Sequence, residues 1–275
     1  MSEANLECCD ALKFLKKQET NSVQLVIGSP PYYGKFGRCG LKELTELEWI
    51  SFMLNITKEA VRVSKDDVIW IANGGVEKGE YIPVCEGLIW NCYQSYENEI
   101  YCERPVIWSK NAPPNRKNWF ANNWEFCLCF RKTTSTERKV WQWERIAEPP
   151  KYKAGGHFRQ RNKNGERVRG SDYPKGKLTR PKDILRVPVG GGLMGSKLAC
   201  ENTAPFPEKL VEPFILALTN PGDVVADVFV GSGSVAKVAL KMGRRFIGCD
   251  IDPSAIELSR KRLDMEIYNV GNIAS

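Results

Sequence analysis

One histidine, His157, is all that the 275 residues contain, and no Cys-x-x-Cys pair occurs among the ten cysteines. Cys8-Cys9 and Cys127-Leu128-Cys129 lack the spacing of metal ligands, so neither structural zinc nor a catalytic metal is expected. Most cysteines stand in apolar runs, where a reduced thiol packs as a small hydrophobe, and a reducing compartment fits them best. No apolar run is long enough to cross a bilayer, and Met1 to Asp10 lacks a charged segment leading into an apolar one. The expectation is a soluble intracellular protein. There is no internal repeat and no low-complexity tract.

What is present is the composition of a globular chain, 42% hydrophobic and 10% aromatic, long enough for one large domain or one domain with an insertion. The formal charge of +7 is unevenly placed. Between Arg131 and Arg186 stand 17 Lys or Arg against 6 Asp or Glu, a net +11, and the remainder carries −4. A basic block of this kind suits a polyanion, because each cation near a phosphate releases condensed counterions. A solvated, loop-rich face is the bland alternative.

The N-terminal part alternates strands and helices. Val23 to Ile27 is short, β-branched and apolar, as a strand covered on both faces should be. Thr45-Glu46-Leu47-Glu48 forms a capping box, and Leu47, Ile50, Leu54 and Val61 are expected near one helical face. Val68 to Ile71 is the next strand, stopped by Asn73-Gly74-Gly75, with further strands around Val106 to Trp108 and Phe126 to Phe130. From Arg131 to about Cys200 the sequence turns basic and rich in Gly and Pro. There Asn164-Gly165, between Arg159, Arg161, Arg167 and Arg169, predicts a hairpin with arginines on both arms; Gly190-Gly191-Gly192 is expected to be mobile. Order returns with a helix over Glu208 to Thr219, a strand over Val224 to Phe229, and a helix over Val235 to Met242. A strand over Arg245 to Cys249 and a helix from Pro253 to about Tyr268, capped by Asp252, complete the chain. Alternation at both ends implies one parallel sheet interrupted by an insertion.

Two stretches carry chemistry. Asp227-Val228-Phe229-Val230-Gly231-Ser232-Gly233-Ser234 is a strand ending in a glycine turn that opens a helix. Gly231 and Gly233 let the backbone turn sharply and approach a ligand, and the helix start offers free N–H groups. Gly231-x-Gly233-x-x-Ala236 also satisfies a dinucleotide pattern. However, only 39 residues follow Ala236, and a carboxylate at Asp227 would repel pyrophosphate yet attract the ammonium or sulfonium of a methionine moiety. Asp250, at the end of the next strand, suits ribose hydroxyls in either reading. The second stretch, Ser29-Pro30-Pro31-Tyr32, ends an apolar strand. Read alone it is equally an ordinary strand-ending turn.

Taken together and in this order, these stretches resemble the DNA amino-methyltransferases of the permuted, or β, group. The resemblance covers roughly residues 5–130 and 200–268. It implies an α/β fold of the Rossmann-like S-adenosylmethionine-dependent kind, with a mostly parallel central sheet, circularly permuted motifs and an inserted basic target-recognition region. The implied division is a catalytic half over 1–130, a recognition insertion over 131–200 and a cofactor-binding half over 201–275. Ser29, Pro30, Pro31 and Tyr32 resemble the catalytic tetrapeptide that holds a flipped base. Cys9-Asp10-Ala11 resembles the acidic turn near the cofactor adenine, and Asn123-Trp124-Glu125-Phe126 the strand that flanks the base. Thr203 to Pro207 resembles the segment closing over the methionine end. The implied cofactor contacts are Asp10, Thr203, Phe206, Asp227, Phe229, Gly231, Ser232, Gly233 and Asp250. Arg159, Arg161, Lys163, Arg167, Arg169 and Arg180 are the candidate DNA contacts.

Within the family a first-position serine goes mainly with cytosine N4 and an aspartate with adenine N6, which stays the alternative. Attack from carbon 5 of cytosine uses a cysteine after proline, and no cysteine here follows one. A DNA-binding module without catalysis, and an RNA or protein methyltransferase, are the rival classes. The partners implied are double-stranded DNA and a cognate restriction endonuclease acting separately; monomer and homodimer both stay open. Trp119, Trp124, Trp141 and Trp143 are candidates for stacking on DNA, with Trp124 equally suited to the core.

Overall fold

The structure is a computed structural model that describes residues 4–34, 43–95, 100–111, 121–132, 138, 140–149, 157–172, 178–189 and 206–271. The chain begins with strand β1 (Ala4–Cys8), helix α1 (Ala11–Lys17) and strand β2 (Val23–Gly28). Helix α2 (Glu46–Val63) follows, then β3 (Ser64–Ala72), a small β4 (Gly75–Glu77) and β5 (Glu80–Ile82) hairpin, and α3 (Val84–Ser95). Short strands β6 (Ile100–Cys102) and β7 (Val106–Ser109) lead to the long β8 (Trp124–Lys132). The basic segment contributes β9 (His157–Arg161), β10 (Arg167–Asp172) and β11 (Ile184–Arg186). The last part is α4 (Glu208–Leu218), β12 (Val224–Asp227), α5 (Ser234–Lys241), β13 (Arg245–Asp250) and α6 (Pro253–Gly271).

The main sheet runs in the order β1-β13-β12-β2-β3-β8-β7-β11, with β6 also on β8. The pairs from β1 across to β3 are parallel, as is β7 with β11, whereas β8 is antiparallel to β3, β7 and β6. From β2 the chain moves outward to β3 on one side; from β12 it moves outward to β13 on the other. The strand order therefore reverses between β12 and β2, and the crevice beyond the carboxyl ends of such a pair is where open α/β sheets bind ligands.

Each face of the sheet carries a core. Phe14, Leu15, Trp49, Met53, Val68 and Trp70 anchor one side; Leu25, Ile27, Ile69, Leu210, Ile215 and Phe246 anchor the other. β2 is buried along its whole length, which explains its unbroken apolar run. The capping box at Thr45 and Glu48 is formed. Of the expected face Val61 is buried, whereas Leu47 is 78% exposed and Ile50 and Leu54 are half-buried; the other buried apolar residues of α2 are Trp49, Met53, Ile56, Ala60 and Val63. The buried stripe is led by the larger Trp49, with Leu47 in the exposed first turn. The strand expected over Val224 to Phe229 ends at Asp227, and Val228 and Phe229 form a bend.

The basic segment is partly threaded onto the main body. β11 adds to the sheet edge beside β7, and Gln142 N–H donates to Ala217 O at 2.8 Å beside a 3-10 turn over Trp143–Ile146. β9 and β10 form a separate hairpin whose turn carries Gly165 at φ +80°, as the Asn-Gly pair predicts. Gly190-Gly191-Gly192 lies outside the described residues.

Candidate active site at the sheet's switch point

β2 delivers Ser29 to Tyr32, and neighbouring β12 delivers Asp227 and the glycine turn. The two strands pair through Val225 with Leu25 and Ala226 with Val26, so both stretches emerge from the same sheet edge. They touch at Gly28: a Cβ built there would lie 2.3 Å from Asp227 Oδ1. Only a glycine lets Asp227 sit against β2 in this way.

Three tethers from different elements hold the tetrapeptide. The Ser29 hydroxyl donates to Ile71 O of β3 at 2.9 Å. Trp49 Nε1, in the buried face of α2, donates to Pro31 O at 2.9 Å. The Tyr32 hydroxyl donates to Glu125 Oε2 of β8 at 2.5 Å. Glu125 is buried and also pairs with Lys110, whose ammonium lies 5.4 Å from the Trp108 ring centroid. Burial, the adjacent Glu125 charge and the bond to Glu125 raise the Tyr32 phenol well above its usual range, with Ser29 acting the other way. The phenol is thus a neutral donor held by Glu125, and the Ser29 hydroxyl, which donates to Ile71 O and lies beside the phenol, keeps a lone pair for a donor from outside.

The glycine turn is fixed from below. Gly231 and Gly233 have φ of +51° and +77°, a region that disfavours any side chain. Gly231 N–H donates to Asp250 Oδ2 at 2.8 Å, and Asp252 N–H donates to Asp250 Oδ1 at 3.0 Å. From α6, Ser259 donates to Gly231 O at 2.8 Å and Arg262 Nη1 to Ser232 O at 2.9 Å. A Cβ at Gly233 would approach Ser259 Oγ to 3.0 Å. Arg262 and Lys237 both pair with buried Glu208, so a buried ionic cluster floors the turn.

Asp227 is 1% exposed and accepts from Phe229 N–H at 2.8 Å. Burial pushes its carboxyl up to about 8; the Phe229 N–H opposes that rise and the Asp250 charge adds to it. A buried carboxyl that is costly to ionise alone invites a cation. Burial raises the Asp250 carboxyl as well, against the pull of the Asp252 and Gly231 amides. Asp10 caps α1 through Lys13 N–H, and Cys9 N–H donates to Asp250 O at 3.0 Å, which brings the acidic turn beside Asp250. Phe229 packs on Trp70 and Phe52 at centroid distances of 5.8 and 6.4 Å, and Phe206 O accepts from Ser234. Ser232 is buried and its carbonyl faces α6. The glycine cradle, the carboxyl beneath it and the acidic turn together fit a methionine-bearing nucleoside. Thr203 lies outside the described residues, as does Trp119.

Sequence reasoning missed Trp49, Ile71, Lys110, Ser259 and Arg262. The α2 indole was the one available signal, since a tryptophan on a buried stripe needs a partner for its N–H. Trp124 is 41% exposed and meets Phe126 edge-on at 4.9 Å beside Glu125.

Away from this edge, the β9–β10 hairpin places Arg161 opposite Arg167 and Arg159 opposite Arg169. Residues two apart share a strand face, so four guanidinium groups stand on one side of a two-stranded ribbon. Lys163 is at its turn; Arg180 lies apart, over the Trp143 ring at 5.7 Å. Among the described residues there is no cluster able to hold a metal ion and no helix long and apolar enough to cross a membrane.

A family profile described as DNA methylase matches residues 23–261. The type II methyltransferase M.Cfr9I of Citrobacter freundii is 26% identical over 309 residues, covering 97% of this chain and 89% of that protein. The orphan methyltransferase M.BamHII of Bacillus amyloliquefaciens is 28% identical over 265 residues, covering 88% and 89%. Among solved structures, PvuII DNA methyltransferase (cytosine-N4-specific) superposes with a TM-score of 0.69 at 19% identity, over 94% of this chain and 86% of that one. M1.HpyAVI in complex with SAM gives 0.55 at 20% identity, over 94% and 99%.

Proposed function

Because this chain belongs to the DNA methylase family, a group of S-adenosylmethionine-dependent enzymes that act on DNA, we propose that it methylates the exocyclic N4 amine of cytosine after base flipping. The observation that carries this reading is the meeting of Ser29-Pro30-Pro31-Tyr32 and the Gly231–Gly233 turn at one switch point, with Gly28 in contact with Asp227.

An exocyclic amine is a weak nucleophile, its lone pair being delocalised into the ring. The Ser29 oxygen and the Pro30 carbonyl accept from that NH₂, favour a pyramidal nitrogen and stabilise the positive charge that grows there. Pro30 and Pro31 stiffen the backbone that carries the carbonyl. Tyr32 provides a face for the extruded base. S-Adenosylmethionine supplies the electrophilic methyl group. Asp227 would hold its ammonium group, Gly231 and Gly233 would leave room for it against the backbone, and Asp250 and Asp10 would serve the ribose and adenine. Phe206, Phe229 and Ser232 complete that cavity in this reading, and Thr203 is assigned to the cofactor by its motif alone. Alignment of amine and methyl carbon does much of the remaining work.

The arginines of β9 and β10, with Lys163 and Arg180, contact the DNA. Like charges directly opposite on a ribbon destabilise it, and a polyanion removes that cost. Residues 131–200 serve target recognition between the catalytic and cofactor halves, in the permuted order of the β group. M.Cfr9I is named a type II methyltransferase, which supports a restriction endonuclease as a separate biological partner. Adenine N6 is the second reading, since the family takes in both amines; Ser29 in the first motif position favours cytosine.

Nucleoside mass spectrometry of DNA from cells expressing the protein tests this directly. N4-methylcytosine is expected. N6-methyladenine alone would replace the first reading by the second, and no modified base would overturn both.

A further inference from the structure

The tether between β8 and the tetrapeptide does something the scaffold does not need. Glu125 is directly opposite Trp108, and Lys110 lies two residues beyond on the same strand path, with its own N–H donating to Asn123 O at 2.6 Å. Glu125 and Lys110 are both largely buried, at 9% and 14% side-chain exposure. A buried ion pair adds little to stability compared with a well-packed apolar pair of the same volume, so β7 and β8 gain nothing from it that two hydrophobes would not give. What the pair does supply is a carboxylate locked at one place, aimed at the Tyr32 hydroxyl 2.5 Å away.

The ring that receives a flipped base must hold its plane. Tyr32 follows two prolines that fix the backbone, yet its side-chain torsions stay free unless the far end is held. The hydroxyl is that end. Ser29 and Pro31 are anchored to β3 and α2 by their own bonds, so the Glu125 bond is the third fixed point of the tetrapeptide and ties the far end of the ring, which also lies beside the Ser29 hydroxyl, to a separate strand. We propose that Glu125, itself fixed by Lys110, is a positioning residue that orients the Tyr32 ring as the stacking wall of the base pocket. This inference rests on the base-pocket reading above. Glu125 acts through Tyr32, and neither it nor Lys110 touches the reacting amine.

A double-mutant cycle on methyl transfer to unmethylated genomic DNA tests the assignment. Hydrogen bonds to charged groups make losses of roughly tenfold to a hundredfold the expected scale. Glu125→Ala lowers kcat/KM for DNA by that amount while the cofactor dissociation constant stays within about twofold. Tyr32→Phe keeps the ring and removes the donor, and in that background Glu125→Ala costs less than about threefold. Equal losses in the two backgrounds would mean that Glu125 only supports the fold, and would overturn the proposal. Should Glu125→Ala not fold, Glu125→Gln has the same volume and is read through the same cycle, with a smaller first loss and the same cancellation. A wild-type protein that leaves no N4- or N6-methylated base refutes the pocket reading itself. An active wild type with additive losses refutes the positioning role alone.

Discussion

The affinity of the chain for its cofactor should depend on pH through Asp227. In the folded protein burial pushes this carboxyl up to about 8, whereas an unfolded aspartate titrates near 3.9. At pH 7 about one molecule in ten then carries the ionised carboxylate, and a ligand ammonium that requires it must drive the proton off. That costs about 1.4 kcal/mol, or tenfold in affinity, for each pH unit below 8. The dissociation constant should therefore fall about tenfold per unit from pH 6 to 7.5. It should flatten above that, where Asp227 ionises and the ligand α-amino group begins to lose its own proton. Titration calorimetry in buffers of different ionisation heat should register close to one proton released per molecule bound at pH 6.5. Asp227→Asn should give a flat profile and bind less tightly than wild type at pH 7.5. The stability of the unliganded chain carries the opposite sign. The folded state holds a proton that the unfolded state has lost between about pH 4 and 8, so Asp227 lowers stability as pH rises through that window. Asp227→Asn should raise the melting temperature more at pH 8 than at pH 5. A cofactor constant independent of pH, with no proton release, would refute the pairing of Asp227 with the ammonium.

Three further outcomes follow from the same geometry. Ser29→Ala should reduce turnover at least a hundredfold while cofactor affinity changes less than about twofold, since Ser29 Oγ serves the amine; parallel loss of both in assay and calorimetry would contradict that division. Gly28→Ala would put a methyl group 2.3 Å from Asp227 Oδ1, and the overpacking should cost about 1–3 kcal/mol in denaturant unfolding and weaken cofactor binding as well. An unchanged midpoint would show that the two strands can part freely. Arg161→Ala with Arg167→Ala should raise the KM for DNA and lower the magnitude of the salt slope of binding by about 2, leaving cofactor affinity alone. A salt slope unchanged from wild type would remove the ribbon from the DNA interface.

What could be read along the chain was whatever depends on neighbours in sequence. The Asn164-Gly165 turn, the capping box of Thr45 and Glu48, and the Asp252 cap on α6 all use side chains within a few residues of the backbone they serve. The glycines at 231 and 233 announce a turn because their positive φ costs glycine nothing and most other residues a strain. The antiparallel placement of β8 between β3 and β7 was not legible. A strand such as Phe126 to Phe130, buried on both faces, carries the same apolar run whichever way it points. The buried stripe of α2 was legible only in part, at Val61, for a related reason: several registers of Leu, Ile, Trp and Val give an apolar stripe, and only the packing beneath selects the one led by Trp49.

The tethers on Ser29-Pro30-Pro31-Tyr32 were hidden most completely, and the reason is topological. Ile71, Trp49 and Glu125 lie 42, 18 and 93 positions from their partners, and each bond exists only because β2 sits between β12 and β3 while β8 closes on β3. A tetrapeptide of this composition at a strand end is an ordinary turn until three separate elements consume its hydroxyls and one carbonyl. In the proposed reading the oxygen left at Ser29 is selective because its proton goes to Ile71 O, and that assignment belongs to β3, not to the motif. Chemistry in this fold is therefore specified in two places. The motif supplies the atoms, and the strand order decides which of their lone pairs remain available to an incoming amine.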